Sequence, residues 1–325
     1  MKIKSLPKVD LGFFPTPIVK LSNLSSFLNG PEIFMKRDDL TGLALGGNKT
    51  RKLEYILRNA LDTECNVVIT AGACQSNHCR QTAAAAAFLQ LECHLILGGQ
   101  APRVANGNLL LDSLFDSQIH WAGANRKGET IPEISRQLSL QGKRPYIIPY
   151  GGSNELGAYS FIRALAEVDT QLDTQRLSHI VFASSSGGTH AGLMLGKALL
   201  NREFNLIGIN IDKGEVNQLK FDGFIVQLAN KTSHFIDAGI TFTEKDLTLD
   251  SNYVGDGYGI IGELEKEAIA LTAKYEGVLL DPVYTGRAMG GLIDMIRSGM
   301  LTKEDTVLFW HTGGAPSLFA YAESL

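Results

Sequence analysis

The sequence has little of several features that mark common protein classes. Its 325 residues include only four cysteines, too few for a disulfide framework in a chain of this length. No apolar run approaches the roughly 18 residues that a membrane-spanning helix needs. The formal net charge is -4, so there is no basic field for nucleic acid. The N-terminal segment MKIKSLPKVDLGFF lacks the apolar region of a signal peptide. These absences predict a cytoplasmic protein.

A short apolar run, a loop of small residues and a helical pattern follow one another several times. The predicted strands are VVIT (Val67–Thr70), CHLILGG from Cys93, HIVFA (His179–Ala183), LIGINI, VLLDPV (Val278–Val283) and TVLFWH (Thr306–His311). Loops are expected between them, among them YTGRAM after VLLDPV. Apolar strands that alternate with helices predict parallel sheets covered on both faces, and a chain of this length predicts two domains. Ligands of such sheets bind beyond the carboxyl ends of the strands.

The segment Gly46–Leu57 (GGNKTRKLEYIL) places three cations at a predicted helix start. Apolar residues at i, i+3 and i+4 spacing predict an amphipathic helix, with Asn48 as the N-cap. A helix N-terminus favours anions, so Lys49, Arg51 and Lys52 conflict with the helix dipole. Two interpretations stay open. The cations are solvated surface charges, or they mark a site where they face an anion or where one lysine is uncharged and reactive.

The loop SSSGGTHAG (Ser184–Gly192) follows a predicted strand and precedes a predicted helix. Backbone amides and hydroxyl groups can converge there on a phosphate, so this loop is the better candidate for an anion site. It contains no G-x-S-x-G elbow, which argues against a serine hydrolase.

Two glycine-rich segments are near matches to nucleotide-binding motifs. In GGNKT, Asn48 stands where a P-loop needs a glycine directly before the lysine. Gly257, Gly259 and Gly262 have the spacing of a dinucleotide fingerprint, but the preceding LTLDSNYVGD is too polar for the strand that the fingerprint must follow. A nucleotide-dependent oxidoreductase is disfavoured on these grounds. A ligand-binding module without catalysis is a further alternative.

The segment CQSNHC brings two cysteines and one histidine together at Cys74, His78 and Cys79. A structural zinc site needs a fourth ligand at a recognised spacing, and none is present, so no metal site is predicted. Ser76 and Asn77 of the same segment are free to contact a ligand.

Taken together, these loops resemble the family of pyridoxal-phosphate enzymes that holds D-cysteine desulfhydrase and 1-aminocyclopropane-1-carboxylate (ACC) deaminase. The matching segments span nearly the whole chain: PTPIVKL, KRDDLTG, GGNKTRKLE, TAGACQSNHCRQTAAAAA, GGSNELGA, SSSGGTHAGL, GYG, LLDPVYTGRAMGGLID and HTGGAP. The resemblance implies an α/β fold of type II, the tryptophan-synthase-β type, and usually a homodimer. It implies two domains, each with a mainly parallel sheet flanked by helices. We expect a large cofactor-binding domain from residues 1–51 and 158–325 and a small domain from residues 52–157.

The resemblance also implies roles for particular residues. Lys49 would hold pyridoxal phosphate covalently and later remove the α-proton of the substrate. Asn77 would lie beside the pyridine ring, and Thr285 would hydrogen-bond the ring nitrogen. The residues expected around the phosphate are Lys52, Ser186, Gly187, Gly188 and Thr189. The residues expected to contact the substrate are Ser76, at its carboxylate, and Tyr258 and Tyr284.

The residue after the tyrosine of DPVY separates activities within this family. The family resemblance implies a glutamate at this position in ACC deaminases and a threonine in the desulfhydrases. This chain has Thr285 and is therefore similar to the desulfhydrases at this position. A carboxylate would keep the ring nitrogen protonated and strengthen the electron sink, and a neutral hydroxyl would not. The expected reaction is therefore α,β-elimination of a small amino acid, with D-cysteine giving pyruvate, sulfide and ammonia. The alternatives are an ACC deaminase, which forms 2-oxobutanoate and ammonia, and a lyase for another β-substituted amino acid such as L-cysteate.

Overall fold

A computed structural model describes residues 3–211, 214–216 and 219–325. Its strands are β1 (Ile18–Lys20), β2 (Glu32–Arg37), β3 (Val67–Gly72), β4 (Glu92–Leu97), β5 (Gln118–Trp121), β6 (Pro145–Ile147), β7 (His179–Ser184), β8 (Asn205–Asn210), β9 (Glu215–Val216), β10 (Leu219–Lys220), β11 (Thr248–Asp250) and β12 (Thr306–His311). Its α-helices are α1 (Ser22–Leu28), α2 (Lys49–Asp62), α3 (Asn77–Phe88), α4 (Gly107–Leu114), α5 (Ile131–Leu140), α6 (Glu155–Gln171), α7 (Gly188–Leu199), α8 (Phe221–Phe235), α9 (Glu263–Glu276) and α10 (Thr285–Arg297). None of these helices is both long and apolar enough to cross a membrane.

The larger sheet has six strands in the order β1-β2-β12-β7-β8-β11. All neighbours are parallel except the edge strand β1, which is antiparallel to β2. Side chains of β12 alternate between two cores: Val307 and Phe309 pack with α9 and α10, whereas Leu308 and Trp310 pack with α6, α7 and α8. Helices therefore cover both faces, as the apolar strands predicted.

The smaller sheet has four parallel strands in the order β5-β4-β3-β6. Val68 of β3 packs on the side of α2, α3 and α4, and its neighbour Val67 packs on the side of α5. The predicted amphipathic helix is confirmed, because Leu53, Ile56 and Leu57 of α2 lie in this core. The predicted α/β fold with two mainly parallel sheets is likewise confirmed.

The four strands of the smaller sheet all lie between residues 67 and 147, inside the segment expected to form the small domain. The expected boundary between residues 51 and 52 falls within α2, and the one between residues 157 and 158 falls within α6. The division of the chain into these two domains stays a prediction.

The prediction of a strand at Val278–Val283 was wrong, as was that of a loop at YTGRAM. Residues 278–281 belong to no strand, and α10 begins at Thr285. The cause is Asp281, whose carboxylate accepts hydrogen bonds from the amides of Val283, Tyr284 and Thr285 at 2.7–3.1 Å. Backbone amides that donate to this carboxylate are satisfied as in the first turn of a helix, and they are not available for hydrogen bonds to a neighbouring strand.

The polar segment before Gly257 does contain a strand, contrary to expectation. It is the three-residue β11 at the sheet edge, where polar side chains stay in contact with solvent. Six residues separate its end from Gly257, so the glycines do not form the tight strand-to-helix turn that a dinucleotide fingerprint requires.

Candidate active site

A cavity lies at the carboxyl ends of strands from both sheets, where ligands of parallel sheets bind. The predicted site residues that line it are Lys49, Ser76, Asn77, Ser186, Gly187, Thr189 and Tyr284. Those that lie behind this lining are Lys52, Gly188, Tyr258 and Thr285. The structure thus brings together residues that are more than 200 positions apart in the sequence.

Two lysines, the half-buried Lys49 and the buried Lys52, extend from the first turn of α2 toward one carbonyl group. The Nζ atoms of Lys49 and Lys52 donate to the carbonyl oxygen of Gly151 at 3.2 and 3.1 Å. Lys49 Nζ also lies 3.5 Å from Ser186 Oγ. The ion pairs of the described residues include none between either lysine and a carboxylate.

The two lysines are therefore easier to deprotonate than solvated lysines. Burial lowers the pKa of Lys49 to about 8. Burial, and next the charge of Lys49, lower the pKa of Lys52 well below its ordinary value. A ligand that carries negative charge would reverse much of this effect, because an anion near an ammonium favours its charged form.

The N-terminus of α7 lies beside Lys52. The helix follows Gly187, which has φ +83°, a conformation that favours glycine. The amide of Gly188 donates to Ser153 Oγ at 3.1 Å, and a side chain at Gly188 would come within 2.9 Å of Lys52 Nζ. The amino group of Lys52, for which the described ion pairs give no carboxylate partner, and the amides at this helix N-terminus are a donor set that fits a phosphate group.

The opposite wall of the cavity is formed by the start of α3. Ser76 is the N-cap of this helix, and its Oγ accepts from the amide of Cys79 at 3.2 Å. The hydroxyl proton of Ser76 is thereby left to contact a ligand. His78 follows in the lining, and burial together with the charges of Lys49 and Lys52 lowers its pKa well below the ordinary value. Its ring is neutral and adds no charge to the cavity.

Two tyrosines form a hydrogen-bonded pair at the cavity wall. The hydroxyl oxygens of Tyr258 and Tyr284 are 2.6 Å apart, and the guanidinium of Arg126 lies 4.1 Å from the ring centre of Tyr258. Burial raises the pKa of both tyrosines well above the ordinary value. Both phenols are therefore protonated near neutral pH and can donate a proton.

Thr285 has a different neighbour from the one expected. Its hydroxyl donates to Asp281 Oδ1 at 2.7 Å and accepts from the amide of Asp281 at 2.7 Å. The proton that a ring nitrogen would accept is already engaged, and the side chain does not line the cavity. Thr312, at the end of β12, does line it. The contact between Thr285 and a ring nitrogen stays a prediction, with Thr312 as the alternative.

Sequence reasoning missed part of the site. Tyr150, Gly151 and Thr312 line the cavity, and Ser153 lies between Lys52 and the loop before α7. The signal for three of these is the segment PYGGSNE, which overlaps the matching segment GGSNELGA. Gly151 has φ +65°, which presents its carbonyl to the lysines.

Arg51 points away from the cavity and joins a buried network. Its guanidinium donates to both carboxylate oxygens of Asp38 at 2.8 Å and to Glu167 at 2.8 and 2.9 Å. The Trp310 indole also donates to Asp38, at 2.8 Å. These two carboxylates raise the pKa of Arg51 despite its burial. The cations of the first turn of α2 thus divide into two that face the cavity and one that is paired.

A lysine with a lowered pKa beside a helix N-terminus, in a cleft shared by two mainly parallel sheets, is the arrangement expected of a pyridoxal-phosphate enzyme of fold type II. Comparison with known proteins agrees. The family model described as "Pyridoxal-phosphate dependent enzyme" matches residues 9–313, and the chain belongs to this family.

Individual relatives and solved structures show which members of the family this chain is similar to. The chain is similar to a D-cysteine desulfhydrase of Klebsiella pneumoniae (strain 342), with 43% identity over 322 residues, 97% of this chain and 96% of the relative. A D-cysteine desulfhydrase of Yersinia enterocolitica is 42% identical over 98% of this chain and 97% of its own length. A crystal structure described as an ACC deaminase homologue superposes with a TM-score of 0.89 at 37% identity, covering 98% of this chain and 95% of the other. The processed threonine deaminase isoform 2 of Solanum lycopersicum, at 16% identity and a TM-score of 0.65, covers 95% of this chain and 81% of the other and shows the shared fold alone.

Proposed function

We propose that this chain catalyses the α,β-elimination of D-cysteine, which with one water molecule gives pyruvate, hydrogen sulfide and ammonia. The choice of D-cysteine as the substrate rests on the similarity to two curated D-cysteine desulfhydrases, at 42–43% identity over almost the whole chain. The cavity supports the reaction class, because it combines a lysine that is neutral in part near neutral pH with protonated phenols.

The chain's own residues have three tasks in this reaction. Pyridoxal phosphate, when bound, supplies an electron sink for negative charge at the α-carbon of the substrate. Lys49 holds the cofactor and, once its Nζ is free and neutral, takes the α-proton, which its lowered pKa favours. Lys52, Ser186, Thr189 and the amides at the start of α7 hold the phosphate.

The remaining residues act on the substrate. The hydroxyl proton of Ser76 is available to bind the substrate carboxylate, since Ser76 Oγ only accepts from Cys79 within the chain. Tyr284, whose phenol lines the cavity, donates a proton to the departing sulfur. Tyr258 can restore that proton across the 2.6 Å contact between the two hydroxyl groups. Tyr258 therefore acts through Tyr284.

The second candidate is an ACC deaminase, which the similarity to an ACC deaminase homologue favours. The residue at position 285 argues against this candidate, because the family resemblance implies a glutamate there in ACC deaminases. A glutamate there would stand beside the buried carboxylate of Asp281, whose pKa is already raised by burial. Two buried carboxylates in contact repel each other unless one is protonated, so this environment suits the threonine that is present.

A substrate panel tests the proposal with purified enzyme and added pyridoxal phosphate. Pyruvate is measured with D-cysteine, L-cysteine, L-cysteate and β-chloro-D-alanine, and 2-oxobutanoate is measured with ACC. The proposal predicts that kcat/KM is highest for D-cysteine and that the Lys49→Ala variant loses both turnover and the visible absorption of covalently held cofactor. Dominant turnover of ACC or L-cysteate would refute the substrate. A wild-type protein that stays colourless with pyridoxal phosphate would refute the site.

The homodimer and the cytoplasmic location are further proposals, and they rest on the family resemblance. Sedimentation of the purified protein at several concentrations would test the first.

A further inference from the structure

Asn77, in the cavity wall, has an amide whose two ends have different surroundings. Its Oδ1 accepts a hydrogen bond from Asn108 Nδ2 at 2.8 Å. Among the described residues, none accepts a hydrogen bond from Asn77 Nδ2. Asn108 belongs to α4, is fully buried and does not line the cavity.

Backbone groups fix which end of each amide faces which neighbour. Asn108 Nδ2 lies 2.9 Å from the carbonyl oxygen of Gln75. A backbone carbonyl can only accept, so the Asn108 atom in this position must be the amino group. The same amino group faces Asn77, and the Asn77 atom that meets it must therefore be the carbonyl oxygen.

The side chain of Gln75 is fixed in the same way. Its Oε1 accepts from the backbone amide of Asn108 at 2.8 Å, and its Nε2 donates to the backbone carbonyl of Asn106 at 2.9 Å. The loop before α3 and the start of α4 are thus joined by hydrogen bonds whose directions backbone groups determine. The position of Asn108 relative to Asn77 is set by this joint rather than by the ligand.

The amino group of Asn77 also has space reserved for it. A Cβ added at Gly314 would lie 2.6 Å from Asn77 Nδ2. Gly314 has φ +110°, a conformation that side chains rarely adopt, so this position is suited to glycine on both counts. Asn77 therefore offers a donor to the cavity and no acceptor.

We propose that Asn108 is a positioning residue that fixes the amide of Asn77 so that its amino group, not its oxygen, faces the bound cofactor. The inference rests on the proposed function. Pyridoxal phosphate has an electron-rich oxygen on the ring carbon next to its aldehyde, and an amide donor suits it whereas an amide oxygen would repel it. Asn108 acts on the cofactor only through Asn77.

The Asn77→Asp variant tests the direction of the amide directly. An aspartate keeps an oxygen toward Asn108 and replaces the cavity-facing donor with an acceptor. The affinity of the apoenzyme for pyridoxal phosphate should fall by about tenfold or more, while the urea midpoint of the apoenzyme stays near wild type. The reverse pattern, a lower midpoint with unchanged affinity, would mean that the oxygen of Asn77 faces the cavity and would overturn the proposal.

The Asn108→Leu variant tests whether Asn108 acts on the cofactor through Asn77. It should weaken cofactor binding about tenfold in the wild-type background and shift the visible absorption of bound cofactor or its pH dependence. In the Asn77→Asp background it should weaken binding no further, because the donor is already gone. Equal losses in both backgrounds would show that Asn108 does not act through Asn77.

Asn230→Leu is the matched control. Asn230 uses both ends of its amide, toward the backbone of Phe242 at 3.0 and 2.7 Å, and it lies outside the cavity. It should lower the urea midpoint and leave the affinity and spectrum of the cofactor unchanged. If wild type itself binds no pyridoxal phosphate, the proposed function fails. If wild type binds pyridoxal phosphate, and the Asn77→Asp and Asn108→Leu variants bind it with the same affinity, only this inference fails.

Discussion

Lys52 is fully buried, yet the groups that the described residues place near its Nζ atom are a backbone carbonyl, a serine hydroxyl, an aromatic ring and the neighbouring Lys49, with no carboxylate among them. A buried charge without a counter-charge destabilises a fold, and its pKa moves so that the neutral form is favoured. Such a residue is expected where a ligand supplies the missing charge. The amide of Gly188 and the N-terminus of α7 beside it support the proposal that this ligand is the phosphate group.

Replacement of Lys52 by methionine keeps most of the side-chain volume and removes the charge. We expect the affinity for pyridoxal phosphate to fall by roughly 10- to 100-fold, the range expected for one hydrogen bond to a charged group. The affinity for pyridoxal, which has no phosphate, should change little. Titration of the apoenzyme with both compounds, followed by absorbance, measures this difference.

The control for this prediction is Lys143→Met, since Lys143 is a partly exposed lysine paired with Glu92 in the smaller sheet. It should leave both affinities unchanged. An equal loss of pyridoxal and pyridoxal phosphate in the Lys52→Met variant would place Lys52 away from the phosphate.

At the scale of elements, the ion pairs of Arg51, in the first turn of α2, hold this helix in position. Arg51 binds Asp38, which directly follows β2, and Glu167 of α6. Lys36 of β2 donates to the same Glu167 at 2.6 Å. These contacts join three elements behind the cavity, and they fix the direction from which Lys49 enters it.

Arg51→Met should therefore destabilise the whole fold. It leaves the buried Asp38 without its main partner, and loss of one partner of a buried ion pair typically costs about 3–5 kcal/mol. Arg58→Met on the same helix is the matched control, because Arg58 pairs with Asp62 at the exposed surface and such pairs contribute about 1 kcal/mol or less. Urea unfolding of the two variants compares these effects. A free-energy loss no larger for Arg51→Met than for Arg58→Met would contradict the anchoring role.

Local patterns were sufficient for some of these elements and not for others. The spacing of Leu53, Ile56 and Leu57 predicts α2, because a helix brings residues three and four apart onto one face. No local pattern shows what Arg51 does, since its partners are 13 and 116 residues away. The start of α10 was missed because one side chain, that of Asp281, decides it.

The site shows the same limit. Lys49 and the loop before α7 follow from motifs, whereas Asn108 has no motif and acts through contacts with residues 31 and 33 positions away.

At the scale of the whole molecule, the buried carboxyl group of Asp112 should make stability depend on pH. Asp112 of α4 has no hydrogen-bond partner among the described atoms for either carboxylate oxygen. Burial raises its pKa to about 8. The folded state thus holds a proton that the unfolded chain releases near pH 4, so this group lowers the free energy of unfolding as the pH rises from about 4 to about 8.

Asp112→Asn removes this dependence while it keeps the shape of the side chain. The variant should unfold at higher urea concentration than wild type at pH 8, by an amount that corresponds to a few kcal/mol, and at a similar concentration near pH 4. Asp10→Asn at the exposed surface should show no such difference. If the Asp112→Asn variant is no more stable than wild type at pH 8, the carboxyl group is ionised in the folded state at little cost.

The strand order has a consequence for how the protein is made. The smaller sheet comes from one continuous stretch, so all its strands leave the ribosome one after another. In the larger sheet, β12 lies between β2 and β7, although it is the last strand of the chain to be synthesised. The larger sheet cannot be complete before β12 has left the ribosome. The cavity between the sheets, with Thr312 and Gly314 just beyond β12, is therefore completed later than the smaller sheet.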